Sequence, residues 1–288
     1  MRAFWVVLVL GVLILAAVVL NPSVIHRSED PGESTWALLF EGSPICRMSD
    51  AELDELLGDL ARHVPLLEDR LRILAEGRLG TPYRRDCLGE GEGVDPDPVF
   101  RVDSTDCTVF ILTQAAMAHA RTVDEARRNM RPANYRRLGA ERPVTYAARL
   151  HFTMDRLDAS PYFGNITDAV AGDVELRRVT LVLNRRADGT TLLPISWDRE
   201  VTVSYIPAEE LNDAVLGRLP AVAGVALVRE SQFDLGVIAA HEGMLLDGRD
   251  LVHASSDAGR VIKVPFLEYL FPEPGHPIFD GVVFYRFR

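Results

Sequence analysis

The chain changes its hydrophobic period once, and that change restricts the fold more than any other feature. Up to about Asp173 the apolar residues recur at helical spacing; beyond it they alternate or run together as strands do. Ser49-Asp50-Ala51-Glu52 has the spacing of a capping box. Leu53, Leu56, Leu57 and Leu60 follow at helical intervals, so a helix is expected from near Asp50. A second is expected over residues 66–75, with Pro82 barring continuation. Residues 90–98 are a loop by composition. The capping residues in Asp103-Ser104-Thr105-Asp106 precede the apolar run 108–120, which places Cys107 in the first turn of a buried helix. Residues 122–129 read as a polar helix. Strands are expected over 179–183 and 192–197 around a turn at Asp188-Gly189, then over 201–206. A short helix over 207–216 precedes strands at 222–228, 236–246, 251–255 and 282–287. Helices first and strands afterwards point to an α+β domain with an antiparallel sheet.

With 288 residues, 48% of them hydrophobic, the chain can bury a core, and whole-chain disorder is excluded. A net charge of −11 argues against a nucleic-acid partner. Residues 3–20 carry no charge, and as a helix they would span about 27 Å, close to the hydrocarbon thickness of a bilayer. The exit Val18-Val19-Leu20-Asn21-Pro22 is a poor signal-peptide cleavage site, so an uncleaved transmembrane helix is expected. Arg2 precedes the run and Glu29 and Asp30 follow it, which puts the N-terminus in the cytoplasm. The expected organisation is a membrane anchor over 1–20, a linker over 21–48 and a domain over 49–288. That organisation implies a single-pass protein of the cytoplasmic membrane, with its domain expected to face the periplasm or the exterior.

Export bears on the cysteines, Cys46, Cys87 and Cys107. An odd number in an oxidising compartment leaves at least one thiol to explain. A Cys46–Cys87 bridge with Cys107 free is the preferred pairing, and three reduced cysteines are the alternative. There is no C-x-x-C, H-x-x-x-H or Gly-rich phosphate loop, so neither a metal nor a cofactor is expected. Cys107 at a helix start faces unpaired N–H groups and the positive end of the macrodipole, and a lowered thiol pKa is expected there.

A base must still reach it. His241 and His253 lie on what should be two arms of a hairpin around residues 246–250. A two-residue turn would throw the imidazoles onto opposite faces. An odd loop, Asp247 to Arg249, would pair 246 with 250 and 243 with 253, making the histidines diagonal neighbours on one face.

Six segments resemble a known group. Gly80-Thr81-Pro82-Tyr83, Asp106-Cys107, His241-x-Gly243 and His253-Ala254-Ser255 are similar to the NlpC-type cell-wall cysteine amidases, a papain-like superfamily. Tyr146-Ala147-Ala148-Arg149-Leu150-His151-Phe152, with Gly164-Asn165-Ile166-Thr167-Asp168, resembles its N-acetylmuramoyl-L-alanine amidase-like branch. The resemblance runs over residues 66–288. It implies a papain-like α+β fold in which N-terminal helices carry the nucleophile and pack on an antiparallel sheet carrying the histidines. Carried over by position, Cys107 would be the nucleophile, His241 the general base and His253 the residue orienting it. Tyr83 would lie near the developing oxyanion, and Arg149 and His151 in the substrate cleft. The implied substrate is peptidoglycan or a muropeptide, cut between muramic acid and L-alanine through a cysteine thioester. Cleavage of the γ-D-glutamyl–diamino acid bond, or non-catalytic peptidoglycan binding, are the alternatives. Three positions depart from the pattern: Glu242 replaces a small apolar residue, Leu112 stands where the branch has a glutamate, and Gly224-Val225 is the nearest match to the Gly-Asp before the histidine strand.

Overall fold

The computed structural model describes residues 44–85, 87–88, 100–136 and 144–288. The expected anchor over 1–20, all of the expected linker up to residue 43 and the loop over 90–98 lie outside the described residues.

Helix α1 (Asp50–His63) begins in the capping box expected of it: the Ser49 N–H donates to Glu52 at 2.8 Å and the Glu52 N–H donates to the Ser49 hydroxyl at 3.3 Å. Helix α2 (Leu67–Gly77) follows. Helix α3 (Cys107–Ala118) is capped by the Asp106 carboxylate, which accepts from the Val109 N–H at 2.8 Å, and every residue from Val109 to Ala118 is buried. Helix α4 (Val123–Asn134) packs beside it. Two helices absent from the sequence reading, α5 (Thr153–Ala159) and α6 (Thr167–Ala171), flank the three-residue strand β1 (Phe163–Asn165).

The strands β2 (Arg177–Leu183), β3 (Arg199–Pro207), β4 (Val222–Val228), β5 (Ala239–Leu246), β6 (Asp250–Ser255), β7 (Arg260–Pro265) and β8 (Gly281–Phe287) form one sheet with β1. Its order is β2-β3-β8-β4-β5-β6-β7, with β1 also on β8, and every pairing is antiparallel. Alternation then sorts the side chains. Ala226, Met244, Val252 and Tyr285 face the core shared with α1 to α4. Val225, Leu227, Leu245 and Phe284 face a second core with α6, α7 (Asp213–Leu216) and α8 (Phe266–Leu270). Coverage on both faces is why all of β4 is buried and its sequence reads as an unbroken apolar run.

The α+β class with helices against an antiparallel sheet is what the residues form. The rest of the fold expectation is corrected. The strands make a single open sheet covered on both faces rather than the papain-like arrangement implied by resemblance. Among the described residues no helix is long and apolar enough to cross a membrane.

Three local expectations also change. Residues 192–197 are not a strand. Asn184 adopts a left-handed φ of 65° and its side chain accepts from the Leu193 N–H at 2.7 Å and donates to the Trp197 carbonyl at 2.9 Å. Pro194 has no N–H to give a ladder, so the segment stays a looped connection before β3. The turn at Asp188-Gly189 exists, but as the tip of that connection, where Asp188 accepts from the Thr190 N–H at 2.9 Å. The helix expected over 207–216 is broken into a 3-10 turn, Ala208–Glu210, and α7, which Asn212 caps. β5 starts at Ala239 rather than 236, because Gly236 (φ 73°) ends a 3-10 segment, Glu230–Leu235.

Candidate functional site

The hairpin β5–β6 decides the histidine question. Leu246 pairs with Asp250 and Met244 with Val252, which is the odd-loop register; Asp247 (φ 53°) and Gly248 (φ 67°) supply the left-handed residues of the turn. His241 and His253 therefore share a face, and His241 Nε2 lies 2.7 Å from His253 Nδ1 with the rings nearly perpendicular. Gly243 makes this approach feasible: a Cβ there would stand 2.7 Å from Leu251 Cδ1 and 3.0 Å from His253 Cβ. Two aromatic residues that sequence reasoning missed enclose the pair. Tyr269 of α8 lies 4.7 Å from the His253 ring, and Phe279 stacks near His241 at 6.4 Å.

His253 is 1% exposed, and its Nε2 has no partner among the described residues. Burial lowers His241 to about 4; burial and then the charge of His241 lower His253 to about 3. Both rings are thus neutral at pH 7. Their unfolded value is 6.5, so the unfolded chain takes up these protons first as pH falls. The stabilisation is complete above about pH 6.5 and declines as the pH drops through that value towards 4 and 3. Melting temperatures measured between pH 7.5 and 4 should decrease accordingly, and less steeply in His253→Gln; parallel slopes for the two proteins would contradict the assignment.

Cys107 opens α3, half-buried, where the Asp106 cap starts the helix. Its sulfur interacts with the backbone N–H of Glu242, the residue after His241, and with the Thr108 hydroxyl. The thiol is not acidic, contrary to the expectation from its helix position. Burial pushes it up to about 12, with the Glu242 and Asp106 carboxylates adding to the rise and the Glu242 backbone and Thr108 side chain opposing it. A helix terminus is worth about 0.3–1 kcal/mol, less than one pKa unit at about 1.4 kcal/mol per unit. Desolvation can shift a buried group by several units, so it wins here. The resting site holds a neutral thiol and neutral imidazoles.

Tyr83 is delivered by the sheet edge. Gly80 and Tyr83 donate to the Val261 and Gly259 carbonyls at 2.9 and 2.8 Å along β7, while Pro82 and Arg84 exchange backbone bonds with Thr105, two residues before Cys107. The half-buried phenol is raised by burial first and then by the nearby Cys107 and Asp106. Arg149 is buried, donates to the Leu88 carbonyl at 3.0 Å and lies over the Tyr146 ring. His151 Nε2 is 2.7 Å from the Tyr146 carbonyl. Both line a cavity of about 160 Å³ whose wall includes Asp106 and Thr108, the neighbours of Cys107. His151 also borders an apolar cavity of about 200 Å³ lined by Leu183, Leu192, Val237 and Ala239.

Cys46 and Cys87 are not bridged: all three cysteines are free thiols, and the Cys87 sulfur donates to the Arg84 carbonyl at 2.6 Å. Among the described residues there is no cluster of three or more residues able to hold a metal.

The site residues beyond the expected set are Glu242, Arg156 and Thr108. Glu242 is 1% exposed and its carboxylate accepts from the Thr108 hydroxyl at 2.7 Å, from Tyr285 at 3.2 Å and from the fully buried Arg156. Burial opposes the charge of Arg156, but Glu242 holds its pKa above the ordinary value. Glu242 was visible in sequence as an unusual residue between His241 and Gly243; nothing in the chain signalled Arg156.

A protein from Legionella pneumophila has a similar structure, with a TM-score of 0.64 at 18% identity over 83% of this chain and 94% of that chain. An N-acetylmuramoyl-L-alanine amidase from Bacteroides uniformis superimposes with a TM-score of 0.57 at 18% identity, covering 77% of this chain and 99% of the other. At these identities the likeness is one of fold. No functionally curated protein matches the sequence. The family model described as N-acetylmuramoyl-L-alanine amidase-like matches residues 74–276, well over half the chain and every part of the site just described except Phe279 and Tyr285. The chain belongs to the N-acetylmuramoyl-L-alanine amidase-like family.

Proposed function

We propose that the protein is a cysteine amidase that hydrolyses the bond between N-acetylmuramic acid and L-alanine in peptidoglycan or muropeptides. The observation that carries the reading is the His241–His253 hydrogen bond at 2.7 Å on the strand against which the helix opened by Cys107 packs. Amidase chemistry on a neutral carbonyl needs a nucleophile, a base held in one tautomer, and donors for the oxyanion.

The tautomers follow from the hydrogen bond. For His241 to accept a proton at Nδ1, its Nε2 must carry hydrogen and donate to His253 Nδ1. His253 then keeps its own proton on Nε2. Because thiol and imidazole are both neutral at rest, the proton moves from sulfur to His241 as the sulfur attacks the amide carbonyl. The backbone N–H of Cys107 and the Tyr83 hydroxyl stabilise the developing oxyanion. The imidazolium of His241 then protonates the leaving amine, and the C–N bond breaks to leave a thioester. Water deprotonated by His241 attacks this ester, releasing the acid and restoring the thiol. Arg149 and His151, in the cavity beside Thr108, are placed to meet polar groups of the substrate.

Digestion of defined muropeptides followed by mass measurement tests the bond assignment. Release of the sugar together with an intact stem peptide is expected. A peptide shortened after D-glutamate would overturn the assignment in favour of the endopeptidase, and intact muropeptide bound without turnover would leave only a binding protein.

A further inference from the structure

β5 presents consecutive residues to opposite faces of the sheet. His241 points towards Tyr269, Phe279 and His253; Glu242 points the other way, into the interface with α3. A carboxylate in that interface is costly unless it is paired and its lone pairs are filled. Here the anchor side is Arg156 of α5 and Tyr285 of β8, and Gly224 leaves the space in which the Tyr285 ring lies across β4. The remaining oxygen, Oε1, accepts from Thr108, the second residue of α3. The backbone N–H of the same Glu242 is near enough to the Cys107 sulfur to oppose the rise of its pKa. One residue thus ties the sheet to the first turn of α3 through its carboxylate, with its backbone near the sulfur that turn carries.

We propose that Glu242 is a positioning residue for the nucleophile: its carboxylate, braced by Arg156 and Tyr285, grips Thr108 and so fixes the first turn of α3 and the sulfur that turn carries. The inference rests on the reading of Cys107 as the nucleophile. Adjacent residues of β5 thus serve both partners of the reaction: His241 is the base, and Glu242 holds the helix that carries the sulfur.

The test uses the full chain and follows alkylation of Cys107 by iodoacetamide at pH 8.5, resolved by peptide mass spectrometry from Cys46 and Cys87, alongside muropeptide turnover. Two variants are informative. Glu242→Leu with Arg156→Met exchanges the buried pair for apolar side chains, a change that is often tolerated by folds. Thr108→Val removes only the gripped hydroxyl. In the double variant the loss of the Glu242 charge should speed alkylation about tenfold, one pKa unit of thiol acidity, while kcat falls at least about tenfold and KM stays within about twofold. In Thr108→Val the Glu242 carboxylate loses the hydroxyl it grips, the first turn of α3 is released, and kcat should fall again. A device that merely stiffened the fold would move neither the alkylation rate nor kcat in a variant that melts like the native chain. That result, or an unchanged kcat in Thr108→Val, overturns the proposal. If the native protein cleaves no muropeptide, the amidase reading fails, and the alkylation rate of the double variant still decides the role of Glu242.

Discussion

Replacement of Cys107 by alanine is expected to abolish muropeptide turnover, a loss of at least about 10³–10⁴-fold in kcat, with little change in thermal stability. The two halves of this expectation have separate physical origins. The thiol is the group that would form the covalent intermediate, and no other described nucleophile stands at the start of α3. Its side chain is small and half-buried, and its sulfur lies near the Glu242 backbone N–H and the Thr108 hydroxyl. Deleting one sulfur from such a position costs about 1 kcal/mol, within the usual range for single substitutions. The Asp106 cap and the buried run from Val109 to Ala118 that hold α3 remain untouched. Turnover by purified Cys107→Ala, measured with the melting temperature, checks both halves. Residual activity near native would remove Cys107 from the mechanism and the amidase assignment with it.

Replacement of Arg156 alone by methionine is expected to produce the larger loss of stability, about 3–5 kcal/mol. The side chain is fully buried, packs with its guanidinium over the Phe163 ring and is the only charged partner of the Glu242 carboxylate among the described residues. Once it is gone, Glu242 keeps two neutral donors, Thr108 and Tyr285, and no counter-charge. An isolated buried carboxylate costs several kcal/mol, more than the pair stabilises when intact, because the intact pair spends most of its attraction on desolvation. Chemical denaturation should therefore show a lower midpoint for Arg156→Met and recovery of most of the loss when Glu242→Leu is added. If the single and double variants are equally unstable, the damage lies in lost packing rather than in a stranded charge.

Much of the site was legible before the fold was known, where the governing interactions are local. The cap and apolar run around Cys107 lie within a few residues of one another, and α3 begins where they indicate. The His241–His253 pairing could be reduced to the parity of one loop, because a strand exposes alternate faces and only an odd loop brings the two together. Where a distant partner competes with local pattern, the reading failed. Residues 192–197 have the composition of a strand, yet Asn184 draws their backbone into a loop. The strand β7 went unread, although its edge is what carries Tyr83 to the start of α3.

Which residue types were available for chemistry, and which face of its strand or turn of its helix each would occupy, follow from the order of amino acids, because capping, periodicity and strand parity act over a few residues. The tertiary structure alone decided the charge states and the support of the nucleophile. Arg156 and Glu242 are 86 positions apart and meet only when α5 is laid against the sheet. The thiol of Cys107 and both imidazoles are neutral because burial, which no short stretch of chain can report, outweighs the helix terminus that favoured ionisation.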